Sequence, residues 1–244
     1  MLKDLISLKK YLLSLAIRSR KAGVLMYHSV SNDKRFFTVA SVNFEKQLRF
    51  LKKKKFNVIK IGDLVKTIQD KKQMLHKTAV LSFDDGYQDN YSVVFPLLKR
   101  YNFPVTIFLI TDLIGQEGYL NWDEIKEMQQ SGFVNFGCHT LSHPKLNQIS
   151  KERLRAELTE SKQIIEKQLG QKCDVFAYPS GCFDNSVVAM VKNAGYQGAF
   201  TVREGAIGLK NNIFLLPRLS IDSSTTFSQF LGKISGLQFI KGRI

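Results

Sequence analysis

Short runs of apolar, β-favouring residues alternate along the chain with segments whose apolar residues recur every three or four positions. The runs at 23–27 (GVLMY), 78–83 (TAVLSF), 105–110 (VTIFLI), 133–138 (FVNFGC), 174–178 (DVFAY) and 197–202 (QGAFTV) predict strands. Segments 44–54, 89–101, 122–131, 151–169 and 185–193 predict amphipathic helices between them. Ser150 stands where the fourth helix needs an N-cap, and Gly170 where it needs a left-handed stop. Strands that are apolar on both faces and separated by helices form a parallel sheet covered on both sides. At least six such strands predict an α/β fold, a distorted (β/α) barrel with parallel strands in a single domain. The order of elements alone leaves an open doubly wound sheet as the alternative. No glycine-rich dinucleotide or P-loop pattern follows the early strands, so a nucleotide fold has no motif behind it.

The two ends carry a different pattern. Leu2, Leu5, Ile6, Leu12, Leu13, Ala16 and Ile17 fall at helical spacing, with Lys3, Ser7, Lys10, Ser14, Arg18 and Lys21 mostly on the other side. The apolar run at 11–17 is interrupted by Ser14 and is too short to span a bilayer; it also lacks the form of a secretory signal. Phe227, Phe230, Leu231, Ile234, Leu237 and Ile240, with Lys233, Lys241 and Arg243, have a similar character. The chain therefore divides into a basic amphipathic segment at 1–22, a barrel domain at 23–222 and a second basic amphipathic segment at 223–244. Such segments either pack on the domain or lie on an anionic membrane surface. The expectation is peripheral contact with the inner face of the cytoplasmic membrane.

Composition narrows this picture. Of 244 residues, 44% are hydrophobic and 23% charged, ordinary globular values, and the 5 Pro and 16 Gly are scattered without a linker-like stretch. Lys and Arg number 36 against 21 Asp and Glu, a formal net charge of +15 that favours anionic partners. No zinc-finger spacing, helix-turn-helix pattern or aromatic RNA-binding motif accompanies that charge, so nucleic acid is not the expected partner. The tetralysine at 52–55 ends a predicted helix, where cations suit the helix dipole. Cys138, Cys173 and Cys182 are odd in number and form no CxxC pair, which fits a reducing, cytoplasmic compartment.

Reactive residues fall at particular places in this pattern. His28, Asp84-Asp85-Gly86, His139 to His143 and Pro179-Ser180-Gly181 each follow the C-terminal end of a predicted strand. In a barrel those ends form one rim, where active sites are built. Adjacent carboxylates repel unless a cation or proton intervenes, although Asp-Asp-Gly also reads as a solvated turn. His139 and His143, two of only four histidines, share a face if the segment forms a helical turn. Two imidazoles and one carboxylate leave open positions on a divalent metal, the pattern of a catalytic site. Only one of two neighbouring aspartates readily faces such a metal. The other is free to accept a proton from water that the metal acidifies. Phosphoryl transfer of the haloacid-dehalogenase type also begins with a strand and acids, but it needs Asp-x-Asp, which is absent here.

Ser82-Phe83-Asp84-Asp85-Gly86, His139-x-x-x-His143 and, more loosely, Phe176-Ala177-Tyr178-Pro179-Ser180-Gly181 resemble three successive motifs of the polysaccharide deacetylases, carbohydrate esterase family 4. The resemblance runs from about Gly23 to about Ser220. It implies a metal-dependent hydrolase that removes N-acetyl groups from amino sugars, with Asp84 as catalytic base. Asp85, His139 and His143 would hold the metal, most often Zn2+, with Co2+, Ni2+ or Mn2+ as alternatives. The backbone N–H of Ser180 would donate to the oxyanion. Two positions depart from the pattern. The third motif usually opens with an Arg that orients the base, and Ala177 stands there; Arg218 is the candidate replacement. No His follows His143 to act as acid, but Met26-Tyr27-His28 resembles the poly-N-acetylglucosamine deacetylase branch, which implies His28 in that role. Tyr87, Tyr178 and Pro179 are expected to line the substrate, and Trp122 is a further aromatic that could stack on a sugar face. With the basic termini, the expected substrate is an N-acetylated sugar of envelope polysaccharide or lipopolysaccharide synthesis, lipid-linked or nucleotide-linked. The alternative is a carbohydrate- or membrane-binding domain of the same fold without turnover.

Overall fold

The computed structural model describes residues 2–16, 20–33 and 35–235. Ten strands occur in these residues: β1 (Gly23–Tyr27), β2 (Ser29–Val30), β3 (Thr38–Val39), β4 (Asn57–Val58), β5 (Thr78–Phe83), β6 (Val105–Leu109), β7 (Val134–Cys138), β8 (Val175–Ala177), β9 (Gly198–Glu204) and β10 (Leu216–Ser220). The helices are α1 (Leu2–Ala16), α2 (Ser41–Lys53), α3 (Ile61–Gln69), α4 (Phe95–Tyr101), α5 (Trp122–Gln130), α6 (Lys151–Leu169), α7 (Asn185–Asn193) and α8 (Phe227–Ile234). Strands β1, β10, β9, β8, β7, β6 and β5 pair in parallel in that order, and pairing of β1 with β5 closes them into a seven-stranded barrel. The short β4 adds to the start of β5 alone.

The period of two along each strand divides the core into an inner and an outer part. Val24, Val80, Phe108, Val175, Ala177, Phe200 and Leu216 point into the barrel. Their neighbours Leu25, Leu81, Leu109, Phe176 and Tyr178 point out, under the helices. Gly137 is needed for this interior, because a Cβ there would stand 2.5 Å from the Phe108 ring. Helix α3 turns Ile61, Leu64, Val65 and Ile68 onto the inner cluster, closing the end of the barrel opposite the C-terminal ends of its strands.

Ser150 caps α6 by accepting from the Arg153 N–H, and Gly170 ends it in the left-handed region, as the sequence predicts. The predicted helix at 89–101 is instead a π-turn at Asn90–Val94 followed by α4. Pro96 has no N–H to give back to the preceding turn, so the regular ladder cannot run through it. Helix α3 and strand β4 were not expected; β4 is only two residues long, and Gly62 and Asp63 in the first turn of α3 interrupt its helical pattern. The terminal helices pack on each other. At their crossing a Cβ on Gly232 would lie 2.8 Å from the Cβ of Ser7. Tyr11 meets Phe50 of α2 edge-on. The expectations at Ile17, Arg18, Leu237, Ile240, Lys241 and Arg243 lie outside the described residues, as do the side chains of Ser14 and Ala16. No helix among the described residues is long and apolar enough to cross a membrane.

Candidate active site

The strand pleat selects the site. Counting on by twos from the inward Val24, Val80 and Leu216, and outward from Gly137, brings His28, Asp84, Arg218 and His139 to the inner side of one rim. Asp84 is buried, and its N–H donates to the Tyr27 carbonyl at 2.9 Å, which ties the end of β5 beside His28. Asp85 would face outward if β5 continued. It adopts a left-handed conformation instead (φ 74°), and Gly86 follows at φ 77°. That break brings both carboxylates to the same mouth and gives them different surroundings.

The guanidinium of Arg218, fully buried, donates through both terminal nitrogens to the two oxygens of Asp84, each at 2.7 Å. Its Nε donates to the Thr201 carbonyl at 3.0 Å, so the fork is held from behind. Burial alone pushes Asp84 up, but the charges of Arg218 and His139 and the Arg218 hydrogen bonds outweigh it. Together they hold the carboxyl well below its ordinary range, and Asp84 stays ionised. Ala177, at the position where an Arg was missed, contributes its carbonyl instead: it accepts from His139 Nδ1 at 2.8 Å. With Nδ1 protonated, His139 turns Nε2 into the site as a free lone pair. Burial pushes His139 below the ordinary imidazole range, against the pull of Asp84 and Asp85. A neutral ring is the form that binds a metal.

Nε2 of His139 lies 3.6 Å and Nε2 of His143 lies 3.9 Å from Asp85 Oδ1. The three donor atoms fall within 4.8 Å of one another. Two imidazole nitrogens and a carboxylate oxygen at this separation, with one ring locked by its second nitrogen, fit a single divalent cation of the Zn2+ type. The segment joining the histidines is not the expected helical turn, since Thr140 (φ 73°) and His143 (φ 59°) are both left-handed. Glu157 accounts for this conformation. Buried on α6, it accepts from the N–H groups of Leu141 (2.9 Å) and Ser142 (3.0 Å) and from the Ser142 hydroxyl at 2.6 Å. The position was legible, because Leu154, Glu157, Leu158, Ser161 and Ile165 form one helical stripe in which a glutamate stands out. A second network surrounds His28. Asn90, at the start of the π-turn, donates to the His28 carbonyl at 3.0 Å and to Asp89 at 2.9 Å, and Asp89 accepts from Ser29. No spacing rule marks these residues in advance.

The expected substrate-lining residues separate. Tyr87 is half-buried on the rim, stacked between Phe37 and Tyr119 at centroid distances of 5.6 and 5.1 Å. Tyr178 does not line the mouth. The pleat turns it outward, where it is fully buried and donates to the Phe214 carbonyl at 3.0 Å. Pro179 is buried, and Trp122 is half-buried with part of its ring packed against the outer core. Ser180 is exposed in a left-handed conformation (φ 51°) after β8.

One rim of the closed seven-stranded barrel thus carries an Arg-clamped Asp beside an Asp-His-His set. The family model "Polysaccharide deacetylase" matches residues 71–199, and the chain belongs to that family. It is 30% identical over 220 residues to the Bacillus subtilis protein YxkH, which carries a polysaccharide deacetylase name, covering 89% of this chain and 77% of that one. It is 27% identical over 237 residues to the poly-β-1,6-N-acetyl-D-glucosamine N-deacetylase of Staphylococcus aureus, covering 90% and 81%. Among solved structures it is similar to the Streptococcus pyogenes deacetylase PplD in complex with acetate, at a TM-score of 0.81 and 28% identity over 88% of this chain and 98% of that one. A polysaccharide deacetylase from Bacillus cereus superposes with a TM-score of 0.79 at 29% identity, covering 88% and 69%.

Proposed function

We propose that this chain is a metal-dependent hydrolase that removes the N-acetyl group from an amino sugar. The observation that carries the reading is the convergence of Arg218–Asp84 with the donor set Asp85, His139 and His143 at one barrel rim. A divalent metal held by those three residues would polarise the acyl carbonyl and acidify water. Asp84, ionised and oriented by Arg218, accepts the proton of the attacking water. The Ser180 N–H donates to the oxyanion. An amine leaves poorly unless protonated, and His28, half-buried on the rim and fixed through its own carbonyl by Asn90, supplies the proton. The Arg218 fork on Asp84 supports turnover over a binding domain of the same fold, because it supplies the orienting Arg that position 177 lacks.

The Staphylococcus aureus relative is named for poly-β-1,6-N-acetyl-D-glucosamine, which supports a polymer of N-acetylated sugars as the substrate class. The net charge of +15 supports an anionic form of it, lipid-linked or nucleotide-linked, in envelope polysaccharide or lipopolysaccharide synthesis. Three unpaired cysteines and the basic composition support a cytoplasmic location in peripheral contact with an anionic membrane. The test is to load the protein with Zn2+ and supply β-1,6-linked N-acetylglucosamine oligomers and lipid-linked or nucleotide-linked N-acetylhexosamines. Acetate should appear with at least one of them and cease on chelation. Bound metal with no acetate from any of these substrates would end the hydrolase reading.

A further inference from the structure

Helix α1 packs the wrong way round for an ordinary surface helix. Its inward side is narrow and mostly polar: Asp4 accepts from the Thr226 hydroxyl, Ser7 lies against Gly232, and Tyr11 meets Phe50. Its apolar side faces away from the protein, with Leu2, Leu5, Ile6, Leu12 and Leu13 exposed by 73, 65, 45, 56 and 56%. At 100° per residue these five lie within one 120° arc, with Lys9 in its middle and the exposed Lys3 on its flank. The one acid of the helix, Asp4, is turned inward to α8, so the outer face is apolar and purely cationic. A monomeric soluble protein rarely leaves such a stripe uncovered.

We propose that the outer face of α1 is an insertion surface for an anionic lipid bilayer, lying in the headgroup region with its lysines among the phosphates. Charge complementarity selects this occupant: apolar side chains interleaved with lysines, on a chain of net charge +15, match an acidic lipid surface. Two like faces of α1 would bring their own lysines together. The surface also sets an orientation. Thr226, bonded to Asp4, caps α8 directly after the loop leaving the C-terminal end of β10. The first turn of α1 therefore stands at the catalytic end of the barrel. Exposed Phe36 belongs to the same end, where its carbonyl accepts from Ser223 at 3.0 Å.

This inference rests on the reading that the chain works at an anionic membrane, and the two can fail separately. The experiment is co-sedimentation of the full chain with phosphatidylcholine vesicles, with and without phosphatidylglycerol, together with analytical ultracentrifugation without lipid. The unchanged chain should bind the anionic vesicles preferentially and release in high salt. The double variant Leu5→Ser/Leu12→Ser should lose at least about tenfold in binding while deacetylating a soluble oligomer at the unchanged rate. No preference for anionic vesicles by the unchanged chain would overturn both readings. Preserved binding in the double variant would overturn the assignment to α1 alone. A lipid-independent dimer that this variant dissolves would replace the bilayer by a second copy of the chain.

Discussion

The barrel rim and the outer face of α1 place residues in environments opposite to their chemistry. At the rim, a carboxylate, a guanidinium and a glutamate are buried, and each is held by bonds that fix its direction: Asp84 by Arg218, Arg218 by Thr201, and Glu157 by the 141–142 backbone. On α1, leucines are exposed and nothing in the described fold covers them. Removing one partner from the first region leaves a buried charge uncompensated, which is costly. Removing Leu5 or Leu12 from the second costs the fold little, because more than half of each residue is already in water. The contrast separates positions that shape the reaction from positions free to serve a surface.

The contrast breaks most sharply at the base. Asp84→Asn keeps the shape and the metal ligands and should lower turnover by about 10²–10⁴, with metal content by atomic absorption unchanged. Near-normal turnover would remove Asp84 from the reaction. Arg218→Met should destabilise the metal-free chain by about 3–5 kcal/mol, read by denaturant unfolding. The sign with pH follows from the partner. With Arg218 present the Asp84 pKa is depressed, so its contribution is complete above the ordinary value of 3.8 and is lost as pH falls below it. In the variant, burial raises that pKa, and the penalty is relieved by protonation. The stability gap should therefore be wide at neutral pH and narrow in acid, and a gap that widens in acid would contradict the pairing. Glu157→Gln should weaken metal binding by about 10–100-fold, seen in competition with a chromogenic chelator, since His143 loses the loop that sets it. The smallest effect belongs to the other region: Leu5→Ser/Leu12→Ser should shift unfolding free energy by no more than about 0.5 kcal/mol. A larger loss would show that α1 packs through that face.

Much of the barrel was legible because its strands are apolar on both faces, its helices are amphipathic, and α6 is bounded by recognisable caps. All six predicted strands form, and a further strand, β10, forms around Arg218. Of the four charged or imidazole residues turned inward at the rim, His28, Asp84 and His139 followed from their places after strands, whereas Arg218, inside β10, was expected only as the replacement for the Arg absent at position 177. What stayed hidden was local backbone geometry. The His139–His143 spacing suggested a helical turn, but the turn's shape is dictated by Glu157, distant in sequence, and by left-handed residues that no periodicity marks. The same holds for Tyr178. Its proximity to the third motif suggested the mouth, whereas its parity along β8 sends it outward beneath the helices.

The bond between Arg218 and Asp84 spans 134 residues, and the strand that delivers Arg218 is the last one among the described residues. Until β10 docks between β1 and β9, the barrel has an open seam and Asp84 has no counter-ion. A chain emerging from the ribosome thus cannot assemble a competent centre from its first two hundred residues, however completely their own strands have paired. Contacts of such long range are formed late and slowly. Ring closure and pairing of the Asp84 carboxylate are one event, so, on the proposed role of Asp84, C-terminal truncation before Arg218 should yield no partially active fragment.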